Sequence, residues 1–160
     1  MTHINMYHQT PLPIYPIRRK MFLRYIASVA ALNLAWEILQ LPLYTLWNES
    51  PPVAIAFAVV HCTLGDVLIA TISLIAALIL LGGKIWPLDR HWRVALMASA
   101  VGFFYTVFSE WNNTAITRTW AYSSLMPTWW GIGLSPLLQW LVIPALAFWR
   151  LSKQTAGTRV

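Results

Sequence analysis

A chain of 160 residues that is 58% hydrophobic and 10% charged cannot hide its apolar surface in a soluble fold of that size, where about a quarter of residues are charged. The mean hydropathy of +0.58 agrees, so composition excludes an ordinary soluble domain and points to a polytopic membrane protein. The net charge of +6 does not indicate nucleic acid, given where the basic residues lie, and a single cysteine, Cys62, leaves no intrachain disulfide and no Cys-rich metal site.

In chain order, residues 1–20 hold three prolines and no helical period, and read as a flexible cytoplasmic tail. Four apolar segments follow: Met21 to Trp47, Val53 to Leu81, Val94 to Trp111 and Gly131 to Trp149. Crossing the hydrocarbon takes about 20 helical residues. The expected fold is all-α, a four-transmembrane-helix bundle over residues 21–150, with a cytoplasmic tail at 151–160. The first segment is too long for a signal peptide and reads as an uncleaved anchor. "NESPPV", Asn48 to Val53, reads as a tight turn, with Ser50 as helix cap and Pro51 in the first turn. Gly82 and Gly83 suit the end of the second helix. Asn112 to Trp130 is too apolar for a loose loop and too polar for a span, so a lid over the bundle is expected.

Ten of the 11 Lys and Arg residues precede the first segment, open it, lie between the second and third, or follow the fourth. Arg118 is the exception. The positive-inside rule then places both termini and the middle loop in the cytoplasm. Trp47, Trp86, Trp92, Trp111, Trp129, Trp130 and Trp149 fall at segment ends, where indoles favour the headgroup level.

Of the acidic residues Glu37, Glu49, Asp66, Asp89 and Glu110, three sit on expected helices: Glu37, Asp66 and Glu110. A charge at the bilayer centre costs about 2.5 to 3.5 kcal/mol, so these groups should face the bundle interior. Counting about 1.5 Å per residue puts Glu37, His61, Asp66, Glu110 and Gln139 in the outer half of the bilayer. Asn33, Glu37, Gln40 and Tyr44 share one helical stripe. His61 and Asp66 are five residues apart, about 140° round the helix, so contact between them does not follow. A cluster of Asp66, Glu37 and Glu110, sharing hydrogen bonds with Asn33, Gln40 and Gln139, is expected, with at least one carboxyl protonated because like charges in a poorly solvated site do not all ionise. Each residue also has a plain alternative: Glu37 as an interhelical clamp, Asp66 as a protonated packing group, His61 as a packing histidine, Glu110 as a solvated surface acid, Arg118 as an interfacial anchor. Glu37, His61, Asp66 and Glu110 carry no dense ligand motif, so neither a metal nor a cofactor is expected.

"WEILQLPLY" (Trp36–Tyr44), "HCTLGD" (His61–Asp66), "YTVFSEWNNT" (Tyr105–Thr114), "WAYSSLMP" (Trp120–Pro127) and "GIGLSPLLQWLVIPAL" (Gly131–Leu146) give the whole chain a resemblance to a set of small bacterial four-helix inner-membrane proteins to which no activity is attached. Over about 40 residues, "SEW" followed by "WAYS" and a proline-containing apolar span also resembles integral-membrane carotenoid-modifying proteins of the hydratase type.

Three functions fit. The first is a membrane enzyme that binds or acts on an apolar, isoprenoid-like molecule. Glu37, Asp66, Glu110 and His61 would be its catalytic candidates; Asn33, Gln40, Trp36, Arg118, Gln139 and Trp140 would line its site. A carboxyl there would protonate an alkene, and the Trp36 or Trp140 face would stabilise the cation. The second is a small proton- or cation-coupled transporter. The third is an accessory or structural membrane subunit, with the polar groups as interhelical glue. The partners implied are the lipid bilayer, an apolar lipid or isoprenoid ligand and, for the third function, another membrane subunit; nucleic acid is not among them.

Overall fold

Backbone groups in hydrocarbon must pair within their own segment, which favours long uninterrupted helices. The computed structural model describes residues 14–83, 86, 87 and 89–156, and four long helices dominate it. α1 runs Ile14–Gln40 and ends in a 3-10 turn at Leu41–Leu43. The short α2 is Leu46–Glu49, and α3 is Pro52–Leu81. α4 is His91–Trp111, continued by a π-helical turn at Asn112–Ile116. A two-stranded hairpin, β1 (Thr128–Trp129) with β2 (Ile132–Gly133), leads into α5 (Leu134–Ala156). Among the described residues, four stretches are long and apolar enough to cross a membrane: Tyr15–Leu43, Pro52–Leu81, His91–Ile116 and Leu134–Gln154.

Several boundaries differ from the sequence expectation. The 1–20 tail is too long: α1 starts at Ile14. Pro16 falls in its first turn, where no N–H is needed; residues 1–13 lie outside the described residues. α5 continues to Ala156, so the expected 151–160 tail begins as helix. The third segment gains residues at both ends, because His91 opens α4 and the π-helical turn extends it. At the first turn Pro51, not Ser50, precedes α3, and Pro52 is the first helical residue; Ser50 closes α2 instead. Gly82 does end α3, its N–H bonded to Leu78 O at 3.0 Å.

The long helices form a ring in chain order: α1 packs on α3 and α5, and α4 on α3 and α5. Successive helices are therefore neighbours running up and down. Arg24 of α1 donates from Nη1 to Gln154 Oε1 of α5 at 2.7 Å, which puts the start of α1 and the end of α5 at one end of the bundle, the terminal end. The half near that end has an apolar core of Met21, Tyr25, Leu74, Ala77, Phe148 and Leu151. Tyr25 and Phe148 rings pack there at 4.8 Å. Small residues let the backbones approach. At Gly102 the room goes to a side chain, because a Cβ there would overlap the Trp140 ring.

Apolar side chains such as Leu39, Val53, Phe57 and Ile79 cover the outside of the ring. Trp47, Trp92, Trp111, Trp129, Trp130 and Trp149 are exposed at the helix ends, as interfacial indoles should be. Trp86 is not: it is 1% exposed, folded into the terminal-end core beside Pro87. Its place in the chain suggested the headgroup level, but the α3–α4 connection turns it inward.

At the distal end the segment after α4 is stitched to the end of α1. Thr45 N–H bonds Ala121 O at 3.0 Å, Ser123 N–H bonds Leu43 O at 2.9 Å, and Ser123 Oγ donates to Pro42 O at 2.8 Å. The hairpin turn uses Trp130 and Gly131, both at positive φ (52° and 80°), as a primed turn requires.

Candidate intramembrane polar site

Three of the four residues of the expected stripe, Asn33, Glu37 and Gln40, are buried on one face of α1, whereas Tyr44 lies past the 3-10 turn in extended backbone. Gln40 Nε2 donates to Glu37 Oε1 at 2.8 Å, an i, i+3 bond along that face. From α5, buried Gln139 reaches the same place. Its Nε2 stands 2.7 Å from Asn33 Oδ1, 3.2 Å from Glu37 Oε1 and 2.8 Å from Asp66 Oδ2. Asp66 lies on α3, across the ring from α5, so its carboxyl points into the bundle. Glu37 and Asp66 come close enough to hydrogen-bond to one another.

The network continues in two directions. Ser135, one turn before Gln139, donates to Gln40 Oε1 at 2.8 Å and accepts from Trp36 Nε1 at 3.2 Å. Towards the terminal end Asn33 Nδ2 donates to Val29 O at 2.9 Å, and below that level the apolar core begins. The cleft against this cluster is lined by Val29, Asn33, Ala70, Gln139, Trp140, Ile143 and Pro144, with space for about a single water.

Glu110 is buried at the end of α4 but belongs to a second, distal group. It accepts the Tyr122 hydroxyl in a short hydrogen bond, and that hydroxyl accepts from Gly133 N–H at 2.9 Å. Burial, then the bond to Glu110, pushes the Tyr122 hydroxyl above its ordinary value. Trp120 Nε1 is buried near the same carboxyl without meeting hydrogen-bond geometry. Tyr44, just past the 3-10 turn that ends α1, stands between the groups, its ring 5.6 Å from that of Tyr122. Burial and the neighbouring Glu110 push its hydroxyl up too. Glu110 is thus within electrostatic reach of Glu37 and Asp66 but shares no hydrogen bond with them.

Two candidates are not brought in. His61 is exposed and stacked on Phe57, with centroids 5.7 Å apart. With Asp66 turned inward, the angle between them carries His61 to the outer face. Arg118 is exposed in the distal connection, at φ 54°, and does not enter the cluster. Trp140 is buried against Gly102 and the cleft, and Trp36 is half-buried on Ser135.

Sequence reasoning missed Ser135 and Tyr122. Ser135 was findable, since it precedes Gln139 by four residues and shares its helix face. Tyr122 lies outside any helix, where no period marks it. Among the described residues, no group of three or more His, Cys, Asp or Glu side chains is placed to hold a metal ion. What the arrangement offers is a pair of facing carboxyls, one supporting amide hub, and a separate Glu–Tyr pair nearer the distal surface. Comparison with protein-family models, with curated proteins and with solved structures finds no match to this chain.

Proposed function

We propose that this is a multi-pass protein of the bacterial cytoplasmic membrane, with the terminal end of the bundle in the cytoplasm and Glu37, Asp66 and Gln139 forming an acid site that binds and protonates an apolar, isoprenoid-like molecule. The orientation follows from the basic residues gathered at the terminal end. The observation that carries the acid site is the meeting of Glu37 and Asp66 on one amide, Gln139 Nε2, inside the bundle.

Hydrogen counting supports a proton there. Gln139 Nε2 has two hydrogens for the three acceptors around it. Two facing carboxyls hydrogen-bond only when one of them carries a proton. That proton passes from Asp66 to an alkene carbon. The cation that forms is stabilised by the carboxylate left behind and is captured by water, whose surplus proton returns to the carboxyl pair.

A transporter is the weaker reading, because among the described residues the hydrogen-bonded network around Gln139 stops at Val29 and the core beyond it is mostly apolar. The glue reading has an observation of its own: the network is closed among its own side chains around a cleft of about one water. The test is gentle-detergent purification followed by absorption spectroscopy and mass spectrometry of extracted lipid. An isoprenoid-like molecule retained by the native chain and lost from folded Asp66→Asn supports the acid site. Its absence from the native preparation, with a stoichiometric partner subunit in its place, favours glue.

A further inference from the structure

Pro144 sits inside α5 and is buried. Proline has no N–H, so the carbonyl of Trp140, four residues earlier, lacks the helical donor that its neighbours have. At about 1.5 Å per residue, Pro144 lies about 15 Å into α5, near mid-membrane. A freed carbonyl at that depth finds no donor in lipid and has to be satisfied inside the protein. Trp140 and Pro144 both line the small cleft, and the other polar side chains of its wall are Asn33 and Gln139.

We propose that this cleft is a binding site for one ordered water, held by the Trp140 carbonyl and by the side-chain amides of Asn33 and Gln139. A water needs about two to four polar partners and about 10 to 15 Å³ of room for its centre; the cleft offers three such groups and meets the second condition at its lower limit. The water donates to the Trp140 carbonyl and to an amide oxygen. Gln139 then stands between this water and Asp66, touching both. The site itself is independent of the acid reading; its role as the local source of the water that captures the cation rests on that reading.

The test is water-to-amide magnetisation transfer by NMR on the full chain in nanodiscs, with the side-chain amides of Asn and Gln labelled. A cross-peak from a long-lived water to the Gln139 or Asn33 amide is expected in the native chain. It should be lost in Pro144→Ala, which returns a donor to the Trp140 carbonyl, and in Ala70→Leu, which fills the cleft. Pro144→Ala favours the helix, so it remains informative if Ala70→Leu does not fold. Absence of the cross-peak in the native chain, or its persistence in Pro144→Ala, overturns the proposal. Asp66→Asn separates the two ideas: the water signal should survive there even where ligand retention does not, and its loss would tie the water to the acid pair rather than to the kink.

Discussion

Gln139 of α5 and Asp66 of α3 meet across the middle of the ring, Nε2 to Oδ2 at 2.8 Å. Their helices are opposite members of the bundle, so the bond can form only through the interior. An acidic residue in the longest apolar run of the chain is tolerated because it faces an amide and a second carboxyl, Glu37, instead of lipid.

Asp66→Asn keeps a hydrogen-bonding group in place and removes the acid. A chemical site predicts a folded protein without ligand retention or turnover. A purely structural role predicts a nearly silent Asp66→Asn and a loss of about 1 to 3 kcal/mol in Asp66→Leu, the cost of stranding its partners. Equilibrium unfolding in mixed micelles, run beside the ligand assay, distinguishes the two.

Gln139→Leu removes the group that joins Asn33, Glu37 and Asp66. We expect about 1 to 3 kcal/mol of destabilisation or more, since several buried polar atoms lose their partner together. Infrared difference spectra should also show the protonated-carboxyl stretch of the Glu37–Asp66 pair shifting. An unchanged melting point would show that Gln139 is not the hub.

Two glycines give opposite expectations. A Cβ at Gly102 would overlap the Trp140 ring, whereas a Cβ at Gly65 meets nothing within 4 Å. Gly102→Ala should cost about 1 to 3 kcal/mol through overpacking, and Gly65→Ala should stay within about 0.5 kcal/mol. Thermal melts of the two variants side by side check the packing of α4 on α5.

Tyr122 pins the distal segment between Glu110 and Gly133. Its hydroxyl value is raised by burial and by Glu110. The stabilisation it contributes is therefore complete below about pH 10, the ordinary tyrosine value, and is lost as pH rises through the higher folded-state value. The Gly133 amide should be protected from hydrogen exchange at neutral pH in the native chain and unprotected in Tyr122→Phe. Equal protection in both would remove Tyr122 from this role.

Orientation has a direct check. Cysteines introduced at Glu49 and Thr117 should react with an impermeant maleimide added from outside, and cysteines at Arg90 and Gln154 should not. Outside labelling at Arg90 would reverse the assignment.

Length and hydropathy are additive along the chain, so the sequence by itself determined that four stretches suffice to span a membrane. The helical repeat is equally local, and it placed Asn33, Glu37 and Gln40 on one face of α1. The tertiary structure decided the rest. A repeat defines a face but not the rotation of one helix against another, so only packing made Gln139 the meeting point of α1, α3 and α5 and turned His61 outward onto Phe57. Connections carry no repeat, so only the fold could bury Trp86 and bring Tyr122 to Glu110. The cost of an unpaired polar group in a low-dielectric interior required that partners exist, and the three-dimensional arrangement chose which ones.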